Sequence, residues 1–189
     1  MKTLDDLVTQ ICGVEEHASY CGESTAENTQ LKLLDAIAKS AFNNLRTYSN
    51  CCRSTLWAIQ THLRLPDNSM LQASSAMAGG IGGTGETCGA VLGALMAIGQ
   101  ALGSDGYHEA SRDITAKAAA KTFVESFMET FGSTRCYGVQ EALVGWRCDD
   151  PSKVEAWRAA NGPVGCAAAC GFAARITAKI ILDQQEASS

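Results

Sequence analysis

Proline is nearly missing, with 3 in 189 residues, and aromatic residues make up only 6%. Runs of alternating β-branched residues, the mark of strands, are absent too. With so few helix breakers and abundant alanine, the expected fold class is all-α: a compact multi-helix bundle. Positive charge is scarce as well. The formal net charge is −5, which argues against nucleic acid as a partner, and no basic cluster is present for an anionic membrane. The apolar run Ala90 to Ile98 is far shorter than the roughly 20 residues that span a bilayer, so no membrane insertion is expected. The N-terminus carries Asp5 and Asp6 where a signal peptide has basic residues, and no apolar core follows. The chain reads as cytoplasmic and soluble. Patterns for a Ser-His-Asp triad, His-Glu-x-x-His zinc hydrolysis, a phosphate-binding Gly-Lys-Ser/Thr loop and covalent haem (Cys-x-x-Cys-His) are all missing.

What the chain has is sulfur and glycine. Nine cysteines fall at 12, 21, 51, 52, 88, 136, 148, 166 and 170. An odd count cannot pair completely, and cytosolic thiols stay reduced, so the cysteines point to metal binding or redox work rather than to staples. The stretch Gly79 to Gly93, Gly-Gly-Ile-Gly-Gly-Thr-Gly-Glu-Thr-Cys-Gly-Ala-Val-Leu-Gly, organises the chain. It predicts a tight glycine-rich loop leading into a buried central helix. Cys88 at that helix start would sit beside free amide donors, a setting that lowers a thiol pKa. The formal Gly-x-Gly-x-x-Gly match at Gly80 to Gly85 lacks the preceding strand that a dinucleotide site requires.

Residues 1–28 read as an N-terminal arm, polar after a short amphipathic start. The arm is expected to pack on a partner subunit or to cap the cysteine site. Cys12, His17 and Cys21 in it give a weak zinc pattern. Residues 29–189 read as a single helical cysteine-rich redox domain. Helices are expected at Thr29 to Arg46 (Leu31, Leu34, Ile37, Ala38, Ala41 and Leu45 on one face), Cys51 to Leu65, Met70 to Ala78, Cys88 to Leu102, Tyr107 to Phe131, Cys136 to Val144, and Pro163 to Gln185. On the fourth, Gly89, Gly93 and Ala97 are spaced so that a neighbouring backbone can approach closely. His62 and His108 have no partner at ligand spacing, and Trp57, Trp146 and Trp157 read as core or interface residues.

Cys166 and Cys170, four apart on a helix, return to nearly the same face, so both sulfurs can address one metal centre or simply fill a helix contact. Cys51 and Cys52 point about 100° apart, which turns one toward a site and the other toward a neighbour. Cys136 follows the helix stop Phe131-Gly132-Ser133 and, like Cys88, sits at a helix end. Thiolates scattered in this way can converge on one iron–sulfur cluster.

Asn50-Cys51 opening a helix, Thr87-Cys88-Gly89-Ala90-Val91-Leu92-Gly93 behind its glycines, Phe131-Gly132-Ser133-x-x-Cys136 and a late cysteine before the terminal helix together resemble the C-GCAxxG-C-C family of redox-active proteins. That family is itself similar to a domain of the split-Soret cytochromes. The resemblance covers about residues 48 to 182. It implies that Cys51, Cys88, Cys136 and Cys166 are the family's four cysteines, with Cys52 and Cys170 as alternates, and that the chain forms a homodimer. Cys52, Cys148 and Cys170 are extra, and the insert Gly145 to Gly162 separates the last two family cysteines. The first functional expectation is an iron–sulfur cluster, [2Fe-2S] or [4Fe-4S], held by Cys51, Cys88, Cys136 and Cys166. It would serve electron transfer with a donor or acceptor protein, and amides near Gly82, Gly83, Gly85 and Gly89 would bond its sulfurs. The second is a thiol–disulfide oxidoreductase, with Cys88 as nucleophile and Cys136 or Cys166 as resolver. The third is storage of soft copper or zinc ions on helix-face thiolates such as Cys166 and Cys170.

Overall fold

A computed structural model describes residues 4–12, 26–65, 68–106 and 110–187. Among them are α1 (Leu4–Cys12), α2 (Ala26–Tyr48), α3 (Cys51–Leu63), α4 (Asn68–Ala73), α5 (Gly89–Leu102), α6 (Ala110–Phe131), α7 (Cys136–Val144), α8 (Val154–Ala159) and α9 (Gly162–Ala187). The described residues contain no strand, only an isolated antiparallel bridge between Thr87 and Arg135. The all-α bundle expected from composition is the observed fold. His17, Cys21 and His108 lie outside the described residues.

The bundle is built around α9, which packs on α2, α3, α5, α6, α7 and α8, and on α1. Its inner faces are lined with small residues: Ala167, Ala168, Ala169, Ala173, Ala174 and Ala178 are all buried. By length and composition alone α9 is apolar enough to cross a membrane, although 67% of its most apolar window is buried inside the fold. Arg175, Thr177 and Lys179 divide its sequence into shorter apolar stretches, so its apolar length does not stand out in the sequence. The half-buried pair Arg175 Nε to Asp35 Oδ1, at 3.0 Å, ties α9 to α2.

The α2 stripe expected from period 3.6 is buried from Leu34 through Leu45, but Leu31 is 47% exposed. On α6 the inward face carries Phe123, Phe127 and Phe131, whose rings stack in sequence and meet Phe172 of α9 edge-on. Ile114 and Met128 are exposed, because they lie off the line of the three phenylalanines. Trp57 is exposed as well and stacks on Tyr48. The amphipathic start is α1, whose Leu7 is buried in the common core. Its neighbours are α9 and α2.

Where α5 crosses α3 the reason for small residues is direct. A Cβ on Gly93 would collide with the Cys52 carbonyl oxygen, and one on Gly89 with the sulfur of Cys51. The two helix backbones are therefore as close as glycine allows. This contact sets the position of Cys51 relative to Cys88.

Candidate functional site

Cys51 is the first residue of α3. Asn50 fixes that start: its side-chain oxygen accepts from the Arg53 amide at 3.1 Å, and its Nδ2 donates to the Ser75 carbonyl at 3.0 Å. The cap thus ties the helix to the 3-10 turn Ser74–Met77 that leads into the glycine loop.

The loop closes on itself. Amides of Gly82, Gly83, Gly85 and Glu86 donate to the carbonyls of Ala76, Ala78, Gly79 and Gly80 at 2.8–3.1 Å. Gly79, Gly80, Gly82, Gly83 and Gly85 all have positive φ, the region that favours glycine, and Ile81 (φ 61°) shares it. The amides of Gly82, Gly83 and Gly85, expected to face a cofactor, are instead taken up by the loop's own carbonyls. Gly82 and Gly83 stand in open space, and Gly85 lies against the ring of Tyr137. Of the loop glycines, Gly79 lines the cavity that the cysteines share. Gly80 packs on the Cβ of Cys136, where no side chain fits.

The end of the loop is latched to the start of α7. The Cys88 amide donates to the Thr134 carbonyl at 2.8 Å, and the Cys136 amide donates to the Glu86 carbonyl at 2.6 Å. An exposed Arg135–Glu86 ion pair, 2.6 Å, lies outside this ladder. Two cysteines 48 positions apart are thereby held by backbone hydrogen bonds across one short bridge.

Cys51, Cys88, Cys136 and Cys166 all line one cavity of about 300 Å³. Cys88 is the N-cap of α5, Cys51 and Cys136 open α3 and α7, and Cys166 lies just past the first turn of α9. Four helix N-termini thus converge, each with the positive end of its dipole toward the sulfurs. Arg46, Trp157, Arg158 and Gln140 also line the cavity, and no carboxylate among the described residues does. Arg158 is paired with Glu155, and the Arg46 guanidinium lies over the Phe42 ring. The indole nitrogen of Trp157 is buried without a partner.

Cys52, Cys170 and Cys148 point elsewhere. The adjacent pair divides: Cys52 turns into the α3–α5 contact, with its sulfur 3.9 Å from that of Met96. Cys170 is buried one turn beyond Cys166 and directs its thiol to the Cys51 carbonyl at 3.6 Å. Cys148 is half-buried in the insert, outside the cavity lining, and its sulfur faces the Asp150 carbonyl. All seven cysteines from 51 to 170 are free thiols.

The expected drop in the Cys88 pKa is not found. Burial pushes this thiol up, the neighbouring Cys51 and Cys136 raise it further, and the amides of Ala90 and Val91 at the helix start pull it down only in part. Cys136 is pushed up to about 11, by burial first and then by Cys51. Cys166 rises from burial and then from Cys88, Cys136 and Cys51. A helix N-terminus contributes about 1 kcal/mol, whereas a shift from 9.0 to about 11 is worth about 3 kcal/mol. Desolvation therefore wins, and in the absence of a cation Cys88, Cys136 and Cys166 hold their protons.

The donor set fits an iron–sulfur cluster in kind and number: four cysteines, no competing carboxylate among the described residues, and a cavity rather than a filled core. Among the described residues, no three His, Cys, Asp or Glu side chains stand where one metal ion takes them all. A single ion would draw its sulfurs to about 2.3 Å from one point, whereas a cluster spreads its ligands over several irons. Pattern reading missed Arg46, Trp157 and Arg158, which have no sequence signal. It also missed Gln140, whose place one helical turn after Cys136 was a usable clue.

A family model described as "Putative redox-active protein (C_GCAxxG_C_C)" matches residues 49–180. No curated protein and no solved structure matches the chain.

Proposed function

Since the chain belongs to the C_GCAxxG_C_C family of redox-active proteins, we propose that it binds one iron–sulfur cluster through Cys51, Cys88, Cys136 and Cys166 and exchanges electrons with a partner protein. One observation carries the reading: four sulfurs from four separate helix starts border one cavity. A cluster bound there would supply one-electron chemistry at a potential set by its surroundings.

The chain's own residues have three tasks. The backbone latch between residues 86–88 and 134–136 fixes Cys88 and Cys136 before any ligand arrives. The converging helix ends, with Arg46 and Arg158, favour the negative charge that four thiolates bring. The alanine-rich wall of α9 and the close α3–α5 crossing limit water at the sulfurs.

Thiol–disulfide exchange has less behind it, because burial holds the Cys88 thiol protonated and so removes the activated nucleophile that reading needs. Helix-face storage of copper or zinc relied on Cys166 and Cys170 together, and only Cys166 lines the cavity. The homodimer implied by resemblance belongs to the proposal and is checked by sedimentation. Anaerobic purification followed by iron, sulfide and electron paramagnetic resonance measurement tests the main reading. The expected result is iron and sulfide in equal amounts with a cluster signal. A colourless chain that stays iron-free after reconstitution would overturn it.

A further inference from the structure

Two faces of α3 have different neighbours. Cys52, Thr55 and Leu56 meet α5 at Gly93. Asn50, Arg53, Ser54 and Trp57, at steps of three and four, share another face. With Tyr48 at the end of α2 and Leu71 of α4, they line a second pocket, of about 290 Å³. It has no lining residue in common with the cysteine cavity.

Three features of this pocket ask for a ligand. Ser54 is 2% exposed, and its hydroxyl is buried with no hydrogen-bond partner. Buried hydroxyls are normally paired, so an orphan on a pocket face leaves room for a group from outside. Arg135, Arg147, Arg158 and Arg175 each have a carboxylate partner, whereas Arg53 makes no ion pair among the described residues. Tyr48 and Trp57 are 60% and 41% exposed, with ring centroids 5.6 Å apart and planes tilted by 54°. Two large aromatics left in water beside an unpaired cation form a surface that an aromatic anion complements.

The geometry points to a binding site for a small planar aromatic carboxylate. Its ring lies against Trp57 and Tyr48, its carboxylate takes the Arg53 guanidinium, and a polar ring substituent meets the Ser54 hydroxyl. A purely apolar molecule would leave Arg53 and Ser54 unmet, and a simple inorganic anion would leave the rings bare. The planar guanidinium matches a carboxylate in shape as well as charge. The volume is at the small end for ligand pockets and suits a single substituted ring.

The test is a calorimetric titration of para-hydroxybenzoate into the reduced, metal-free chain. The expected result is saturable binding of one molecule per chain. Arg53→Gln should weaken it by about tenfold to a hundredfold, the scale of a hydrogen bond between charged groups. Ser54→Ala should weaken it by about fivefold without lowering the melting temperature, because no hydrogen bond within the protein is lost. Para-hydroxybenzyl alcohol, the same ring without the charge, should bind more weakly than the acid and be indifferent to Arg53→Gln.

Absence of saturable binding up to millimolar probe would overturn the proposal. So would binding that Arg53→Gln and Ser54→Ala both leave intact, since the probe would then sit elsewhere. A dimer in sedimentation that Trp57→Leu separates, with no probe bound by the wild type, would assign the face to a second copy of the chain and overturn it too. Arg53 is exposed, so Arg53→Gln still decides if Ser54→Ala fails to fold. No arm of the experiment involves iron, so this site and the cluster stand or fall separately.

Discussion

An alanine at position 89 would drive its Cβ into the sulfur of Cys51, and one at position 93 would drive it into the Cys52 carbonyl oxygen. The two collisions differ in what can yield. A sulfur at the tip of a side chain can swing away, whereas a backbone carbonyl inside α3 cannot. Gly93→Ala is therefore expected to cost about 1–3 kcal/mol, seen as a melting temperature several degrees lower. Gly89→Ala should cost less stability but expel Cys51 from the cavity, so that iron content falls while the fold persists. Serine substitutions sharpen the point. Replacing Cys51, Cys88, Cys136 or Cys166 should reduce iron bound after anaerobic reconstitution to a small fraction. Cys148→Ser should leave it unchanged, because that sulfur lies outside the cavity lining. Equal loss from all five would contradict the assignment.

At the scale of elements, the glycine loop and the start of α7 act as one unit. Their exposed ion pair, Arg135–Glu86, is not what holds them. A surface pair contributes about 0–1 kcal/mol, while the backbone bonds of Cys88 and Cys136 are shielded by both segments. Glu86→Ala should consequently shift the melting temperature by no more than a few degrees and leave the iron content intact. Ile81 is the loop's odd residue: a β-branched side chain, 44% exposed, at φ 61°. Such a residue in the left-handed region costs about 1–2 kcal/mol, more than the added backbone freedom of glycine takes back. Ile81→Gly should raise the melting temperature slightly in a thermal scan. A clear fall would mean that the exposed isoleucine has a packing role, such as contact with another chain. Much of this was legible beforehand. Period 3.6, the Asn50 cap and the glycine stops located the helices, and the i,i+1 geometry explains why Cys51 and Cys52 part. What stayed hidden depends on distance in space. The engagement of the loop amides by loop carbonyls, the facing of Cys170 away from the cavity, and the arrival of Arg46 and Arg158 at its wall all follow from how helices cross. No local spacing encodes that crossing.

At the scale of the whole molecule, folding encloses several thiols in one region that disfavours their ionised form, and this makes stability depend on pH in a definite direction. Cys136 has a folded pKa of about 11 and Cys52 one of about 12, both above an ordinary value of 9.0, with burial as the leading cause in each. Below pH 9 these groups are protonated in both folded and unfolded chains and contribute no slope. Above it the unfolded chain releases protons that the folded chain retains, so unfolding becomes easier as pH rises through the folded values. The metal-free, reduced protein should therefore hold a constant urea midpoint from about pH 6 to 8 and lose stability between about 9 and 12. The loss should be on the order of 1 kcal/mol per pH unit for each thiol still protonated in the fold. Cys52→Ser, which leaves the cavity untouched, should make that decline shallower. A bound cluster reverses the sign, because its cysteines are already deprotonated and the unfolded chain then binds more protons than the folded one. Loaded protein should lose the alkaline decline due to its ligands and become sensitive to acid instead. Paired urea titrations of loaded and iron-stripped chain across this range make the comparison. Identical alkaline slopes in the two forms would show that the four cavity thiols are not the ones that give up their protons to the metal.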